Sequence, residues 1–233
     1  MKLERKTLVN APNLNEQSDA LFQYLQNSQD ADSGVFLSKL AEFMQMYSGA
    51  MKGVSARLEV LDDEFQLSHE HNPIHHIECR IKGISSIFEK IRRYDLPFSL
   101  DSARMHIHDI AGIRVVCNFL DDIYAMEALL LNQPDITLIN RKDYIAKPKE
   151  SGYRSLHLVV KAPVFLSNKS EEIPVEIQLR TIAMDYWASL EHMLQYKNSK
   201  NDMQKYSAML LECADSLANT EKTMQHIREN IEK

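Results

Sequence analysis

Apolar residues recur every three or four positions from Phe36 to Phe65, through Leu40, Phe43, Tyr47, Met51, Val54, Leu58 and Leu61. That spacing puts one buried stripe on one long helix. Upstream, the pattern predicts an irregular lead-in over residues 1–13, a helix over 14–27 and a break at 30–34. The long helical pattern ends in a His/Asn/Pro-rich segment at 69–76, where the period falls to two. Residues 77–81 alternate and read as a strand, followed by a helix over 84–93. The run 112–119 is continuously β-branched and apolar, as a buried central strand is. A helix is expected over 121–131, an extended segment over 136–144, and alternating strands over 155–164 and 174–179. A helix over 183–196 carries Trp187, the single tryptophan. About five strands interleaved with helices predict an α/β fold with a mixed sheet.

The tail changes period again. Met203, Tyr206, Leu210, Cys213, Leu217, Thr220, Met224, Ile227 and Ile231 step by three and four throughout, a heptad seam broken by Thr220. Such a seam either packs back on its own domain or pairs with another subunit. The expected organisation is an N-terminal helical extension over 1–76, a core over 77–198 and a C-terminal amphipathic helix over 199–233 that serves oligomerisation.

Composition excludes more than it selects. The 233 residues are 44% hydrophobic and 26% charged, ordinary for a globular chain. No apolar run approaches the roughly 20 residues of a membrane span, and residues 1–30 carry no basic-then-apolar leader. Cys79, Cys117 and Cys213 are odd in number and far apart, so neither a disulfide framework nor a zinc knuckle is indicated. A cytoplasmic protein is the expectation. A net charge of −6 argues against a broad nucleic-acid surface. Yet residues 80–154 hold 12 of the 27 basic residues against 10 of the 33 acidic ones. Polyphosphates bound in the middle of the chain would account for that excess; a helix face of solvated lysines is the alternative on charge counts alone.

With six glycines and neither G-x-x-x-x-G-K-[ST] nor G-x-G-x-x-G in the chain, side chains must hold any such phosphates. Arg80 and Lys82 are two apart on a strand and share a face. Lys90 and Arg93 share a face of the next helix, with Ser86 four residues before Lys90. Asp109 precedes the strand start Ile110-Ala-Gly-Ile-Arg114, and Glu176 lies between Val175 and Ile177 on an alternating strand, with Gln178 and Arg180 on its face. Carboxylates on apolar strands are costly unless ionised against a cation or metal. Two of them could hold Mg²⁺, which takes one or two carboxylates plus phosphate oxygens; buried ion pairs to nearby arginines are the alternative. The loop Lys142-Asp-Tyr-Ile-Ala-Lys-Pro-Lys-Glu-Ser-Gly-Tyr-Arg154 mixes four cations with two tyrosines. Tyr153 suits a purine, Lys142, Lys147 and Lys149 its phosphates, and His157 follows nearby.

These residues, in this order, resemble the synthetase domain of the RelA/SpoT family, and the whole layout is similar to its small alarmone synthetases. The matching runs are Arg80-Ile-Lys82 with Ser86 and Lys90, His108-Asp-Ile-Ala-Gly-Ile-Arg114, Lys142-Asp-Tyr through Ser-Leu-His157, Val175-Glu-Ile-Gln-Leu-Arg-Thr181 and Ala183-Met-Asp-Tyr-Trp-Ala-Ser-Leu-Glu-His192. The resemblance covers residues 78–198. It implies transfer of the β,γ-pyrophosphate of ATP to the 3′-hydroxyl of GDP or GTP, making ppGpp or pppGpp and releasing AMP. It also implies Mg²⁺ as cofactor and a homo-oligomer, a tetramer, with neither membrane nor nucleic acid as partner. By position, Arg80 and Arg114 would sandwich adenine, and Lys82, Ser86, Lys90 and Arg93 would hold the donor phosphates. Asp109 and Glu176 would bind Mg²⁺, Glu176 also taking the 3′-hydroxyl proton. Tyr153 would stack on guanine, and Lys142, Lys147, Lys149, His157 and Gln178 would serve the acceptor. Asp185 stands where close members are expected to carry Asn, near the guanine edge, and Glu191 shares that region. Fewer than 80 residues precede the core, too few for the upstream hydrolase domain of long members, so no hydrolase activity is expected.

Two other readings compete. The same chemistry could serve another acceptor, a transfer-RNA 3′ end or an adenine nucleotide; the acidic net charge weighs against RNA. A catalytically silent binding module would be expected to lack Asp109 or Glu176, and both are present. The cluster His69-Glu-His71 with His75-His76 has metal-ligand types but no standard zinc spacing, so a solvated helix end is the expectation there, with a regulatory metal site as the alternative.

Overall fold

The computed structural model describes residues 8–10, 33–197 and 200–231; the helix expected over 14–27 lies outside them. In chain order the elements are β1 (Leu8–Asn10), α1 (Ser33–Ser68), β2 (Ile74–Ile81), α2 (Ile84–Arg93), α3 (Leu100–His106), β3 (Ala111–Cys117), α4 (Leu120–Leu131), β4 (Thr137–Asp143), β5 (Leu156–Phe165), β6 (Ser170–Thr181), α5 (Ile182–Lys197) and α6 (Lys200–Ile231). The strands form one mixed sheet in the order β1-β2-β3-β6-β5-β4. β1 runs parallel to β2, and β3 parallel to β6; the remaining neighbours are antiparallel.

Strand alternation divides the sheet into two faces of opposite chemistry. One face carries Ile77 and Cys79 on β2, Ile113 and Val115 on β3, Val175, Ile177 and Leu179 on β6, and Leu156, Leu158 and Val160 on β5, all buried. α1 lies along it, packing on β2, β3, β5 and β6. Its buried stripe is the predicted one: Phe36, Leu40, Phe43, Tyr47, Met51, Val54 and Leu58, with Leu61 and Phe65 partly buried at the end. A helix of 36 residues is ~54 Å long, enough to cross the sheet. α2 and α4 add Ile87, Phe88, Ile91, Ile123, Met126 and Leu130 to the same core.

Four expectations are corrected. The sheet has a sixth strand, β1, inside the expected lead-in; three residues are too few to show a period. α1 is a wall of the core and β1 part of the sheet, so the first 76 residues are more than a helical extension. α3 arises where no helix was read, started by Ser99, whose Oγ accepts the Ser102 N–H at 3.1 Å. Finally, β2 begins at Ile74, so His75 and His76 belong to a strand, and the long helix has already ended at Ser68. The histidines do not form one cluster: His71 Nε2 lies 2.8 Å from the Asp122 carboxylate, whereas His75 and His76 meet through their Nδ1 atoms at 2.8 Å and His76 is 3.6 Å from Glu78. No group of three metal-ligating side chains occurs among the described residues.

β6 is also longer than its pattern, running upstream through Pro174. A proline cannot donate to a ladder and is tolerated where one side of the strand is unpaired. β3 pairs with β6 only from Val175 onward, so the proline sits where β5 is the sole neighbour.

α6 packs back on the domain in part. Trp187 Nε1 donates to the Leu210 carbonyl at 2.9 Å, and Trp187, Ala188 and Ala214 form a small cluster with Tyr153, Leu210 and Leu217. Arg154 donates to the Ala214 carbonyl at 3.2 Å and to Asp215 at 2.9 Å, Thr181 bonds Glu221, and Arg228 reaches Asp121 at 3.1 Å. Of the heptad seam, Leu210 and Leu217 face inward while Tyr206, Met224, Ile227 and Ile231 are exposed. No helix among the described residues is long and apolar enough to cross a membrane.

Gly152 shows how closely α6 approaches the preceding loop. Its φ is +89°, and an added Cβ would lie 2.7 Å from the Ala214 Cβ. Gly152→Ala should therefore destabilise the fold by about 1–3 kcal/mol, read as a lower urea midpoint. An unchanged midpoint would mean that α6 does not hold this loop in solution.

Candidate active site

The face of the sheet opposite α1 is charged, and its registry is explicit. Lys142 of β4 pairs with His157 of β5, His157 with Gln178 of β6, Gln178 with Arg114 of β3, and Arg114 with Glu78 of β2. In the adjacent row, Val159, Glu176, Gly112 and Arg80 follow one another across β5, β6, β3 and β2. Paired residues share a face, so both rows project to the same side. Gly112 interrupts the second row with no side chain, and a Cβ there would meet nothing closer than the Arg80 carbonyl, at 3.7 Å. The gap it leaves is the floor of a cavity of about 350 Å³ lined by Glu78, Arg80, Lys82, Asp109, Arg114, Glu176 and Gln178.

Asp109 stands at one side of this cavity. Its Oδ2 accepts from Lys82 Nζ at 2.6 Å and Lys90 Nζ at 2.7 Å. Burial opposes ionisation of this carboxyl, but the two ammonium groups outweigh it, and its pKa lies below the ordinary value. Oδ1 is buried without a protein partner. Glu176 stands opposite, its Oε2 accepting from Gln178 Nε2 at 2.9 Å and its Oε1 3.4 Å from His157 Nδ1. Burial again opposes ionisation, and the bonds from His157 and Gln178 again prevail, so Glu176 too ionises below its ordinary range. Two ionised carboxylates lining one cavity, one with an unused buried oxygen, fit a hard divalent cation completed by phosphate oxygens and water.

Beyond Glu176 lies an aromatic and cationic cluster. The Tyr153 hydroxyl is 2.8 Å from His157 Nε2 and accepts from Arg180 Nη2 at 2.7 Å. Lys149 Nζ lies 4.7 Å from the ring centroids of both Tyr144 and Tyr153, within cation–π range. Arg180 also donates to Gln178 Oε1 at 2.8 Å and to Asp185 at 3.1 Å. Asp185, at the start of α5, bonds Arg114 at 3.2 Å as well, and Arg114 reaches Glu78 at 2.9 Å.

The fold thus gathers Arg80, Lys82, Lys90, Asp109, Arg114, Glu176 and Gln178 around one cavity, and Lys149, Tyr153, His157 and Asp185 beside it. Asp185 is held between two guanidinium groups, those of Arg114 and Arg180. Lys142 is exposed but in register with His157. Arg93 lies on α2 with its guanidinium 5.7 Å from the Tyr94 ring, as Lys90 is at 5.6 Å. Ser86 is on the same helix. Lys147 is exposed in the loop and Glu191 is half-buried on α5. Sequence reasoning passed over Glu78, Gly112 and Tyr144 as site residues, and gave Arg180 no role. Strand alternation from Arg80 back to Glu78 would have found the first; Gly112 becomes meaningful only through its cross-strand neighbours.

The family described as "Region found in RelA / SpoT proteins" matches residues 79–201. The GTP pyrophosphokinase YwaC of Bacillus subtilis is 38% identical over 187 residues, 80% of this chain and 89% of that protein. The GTP pyrophosphokinase YjbM of the same organism is 35% identical over 191 residues, 82% of this chain and 89% of that protein. Among solved structures, small alarmone synthetase 1 from Bacillus subtilis bound to its product pppGpp superposes with a TM-score of 0.76 at 34% identity, covering 84% of this chain and 100% of that one. The same enzyme bound to AMPCPP gives 0.72 at 30% identity.

A carboxyl whose pKa is lower folded than unfolded stabilises the fold above its unfolded value and loses that contribution as pH falls through the folded one. For Asp109 the loss lies below the ordinary carboxylate range. In metal-free buffer, Asp109→Asn should lower the unfolding free energy at pH 7 by about 1–3 kcal/mol, and the gap from the parent protein should close below about pH 4. A gap of equal size at pH 3 and pH 7 would remove the ion pairs from the account.

Proposed function

The chain belongs to the RelA/SpoT family, and we propose that it is a GTP pyrophosphokinase that makes ppGpp or pppGpp from ATP and GDP or GTP. The observation that carries this reading is the common cavity of Asp109 and Glu176, with lysines and arginines on one side and Tyr153, Lys149 and His157 on the other. Phosphoryl-type transfer asks mainly for positioning and charge neutralisation. Lys82, Lys90 and Arg93, with the Ser86 hydroxyl, hold the ATP phosphates, and Arg80 and Arg114 sandwich the adenine. Tyr153 stacks on guanine, with Lys142, Lys147, Lys149, His157 and Gln178 toward the acceptor and Asp185 and Glu191 at its base. Glu176 takes the proton of the 3′-hydroxyl. That oxygen bonds to the β-phosphorus as the bond from the β-phosphorus to the α–β bridging oxygen breaks, and AMP leaves with the bridging oxygen. Mg²⁺ held by Asp109 and Glu176 would neutralise charge on the phosphate oxygens.

Catalysis is assigned to residues 77–198. The exposed strip of Tyr206, Met224, Ile227 and Ile231 on α6 supports self-association, and a homotetramer in the cytoplasm is the form the family resemblance implies. Neither nucleic acid nor membrane enters as a partner.

Purified protein given ATP, Mg²⁺ and each guanine nucleotide separately should yield AMP and the 3′-pyrophosphorylated product, separated by anion-exchange chromatography. Glu176→Gln should lower kcat by roughly 10²–10⁴-fold, the share of a positioned base, while keeping the folded circular-dichroism spectrum. Full activity in that variant rejects the base assignment. Pyrophosphorylation of tRNA or an adenine nucleotide in preference to GDP and GTP rejects the acceptor assignment. For the assembly, Ile227→Asp should lower the mass measured by light scattering; an unchanged mass removes the strip from the interface.

A further inference from the structure

Four side chains and the proposed proton acceptor, Glu176, close into a ring. Arg180 Nη2 bonds both the Tyr153 hydroxyl and Gln178 Oε1; Tyr153 meets His157 Nε2; His157 Nδ1 and Gln178 Nε2 approach the two oxygens of Glu176. Ring members come from the acceptor loop, β5 and β6, so their bonds could run in either sense. A hydroxyl can donate or accept, an imidazole can carry its proton on either nitrogen, and an amide can be turned over. Two members have no such freedom, and one of them, the Glu176 carboxylate, only accepts. A guanidinium only donates, and it stays charged at every accessible pH.

We propose that Arg180 is a positioning residue that fixes, from the far end of the ring, the hydrogen-bond directions that the Glu176 carboxylate requires, and so holds two donors on Glu176. The argument is one of exclusion. Tyr153 oxygen receives a proton from Arg180, so its own proton points to its other close partner, His157 Nε2. That nitrogen is then an acceptor, and neutral His157 carries its proton on Nδ1, facing Glu176 Oε1. On the second arm, Gln178 Oε1 accepts from Arg180, so the amide NH₂ faces Glu176 Oε2. Both arms begin at one cation and end on the two oxygens of one carboxylate.

The surroundings hold Arg180 to this task. Its side chain is 6% exposed, its Nη1 is fixed by Asp185 Oδ1 at 3.1 Å, and its guanidinium lies 5.2 Å from the Tyr153 ring centroid. Asp185 in turn bonds Arg114 across the cavity. The leverage is greater at the tyrosine end, because the Tyr153–His157 contact is 2.8 Å whereas His157–Glu176 is 3.4 Å. Removing the guanidinium therefore frees the tyrosine oxygen to accept from His157 Nε2–H, which turns a lone pair toward Glu176.

The inference rests on Glu176 being the base of the proposed reaction, but the bond directions can be read without substrate. Protein with ¹⁵N-labelled histidine, free of nucleotide and metal at about pH 8, above the ordinary imidazole pKa, reports the tautomer directly by NMR; the His157 signal is assigned by its loss in His157→Asn. The parent protein should show His157 protonated on Nδ1. In Arg180→Met the Nδ1–H form should lose its dominance to a mixture with Nε2–H. With ATP and GDP, kcat of that variant should fall by roughly 10–100-fold, as for loss of an outer partner, with KM for ATP within about threefold. Arg180→Lys, which keeps a donor-only cation, should retain the Nδ1–H form and recover part of kcat; it carries the test if the methionine variant does not fold. Either a dominant Nε2–H form in the parent protein, or loss of the Nδ1–H form in a folded Arg180→Lys, overturns the assignment. An Arg180→Met protein that keeps Nδ1–H overturns it too, whatever its activity. A correct tautomer in a protein that makes no guanosine product would instead count against the proposed reaction alone.

Discussion

The parallel pairing of β3 with β6 is the constraint on which the rest of the molecule turns. It sets Gly112 beside Glu176 and Arg114 beside Gln178, and in a pleated sheet that registry fixes which side chains share a face. A slip of one residue would carry Glu176 and Gln178 into the core and bring Ile177 and Leu179 out. The hydrophobic penalty of that exchange falls on residues that are almost fully buried beneath α1. Burial on one face therefore enforces chemistry on the other.

Within the charged face, four carboxylates at the site are each held by a partner. Asp109 is held by two lysines, Glu78 by Arg114, Asp185 by two arginines, and Glu176 by His157 and Gln178. Partly buried charges of this density are tolerable only when each is paired and hydrogen-bonded. Among the described residues of the site, Asp109 Oδ1, Arg114 Nε and Arg180 Nε are buried without a protein partner, and the oxygen is the one the proposed Mg²⁺ would meet. The acceptor loop obeys a different constraint. It is pinned from behind by α6, through Gly152 against Ala214 and Arg154 against the Ala214 carbonyl, so Tyr153 is presented by a braced loop.

Much of this was legible in the chain. The 3/4 spacing of α1, the two-residue period of β5 and the apolar run of β3 are local signals, each produced by one buried face. The two carboxylates, the lysines that meet Asp109 and the tyrosine loop were also legible as candidates, because unusual residue types stood on strands or beside Gly and Pro. The misses share a physical origin. β1 is too short to show a period, α3 is marked by a serine cap and little else, and β6 continues through Pro174 because its neighbour on one side is absent there. Glu78 was within reach of the alternation from Arg80 and Arg180 stood on the face of Glu176, but what they and Gly112 do depends on partners that the local pattern does not name.

The sequence by itself determined the fold class, the core-facing positions and the kinds of chemical group available, since all three follow from side-chain type and local period. The tertiary structure alone decided which of those groups meet, which oxygen of Asp109 is left over, and that one arginine joins Tyr153, Gln178 and Asp185. The reason is that cross-strand registry and helix docking arise from contacts between segments remote in the chain. A local pattern says which way a side chain points, and says nothing of what it will find there.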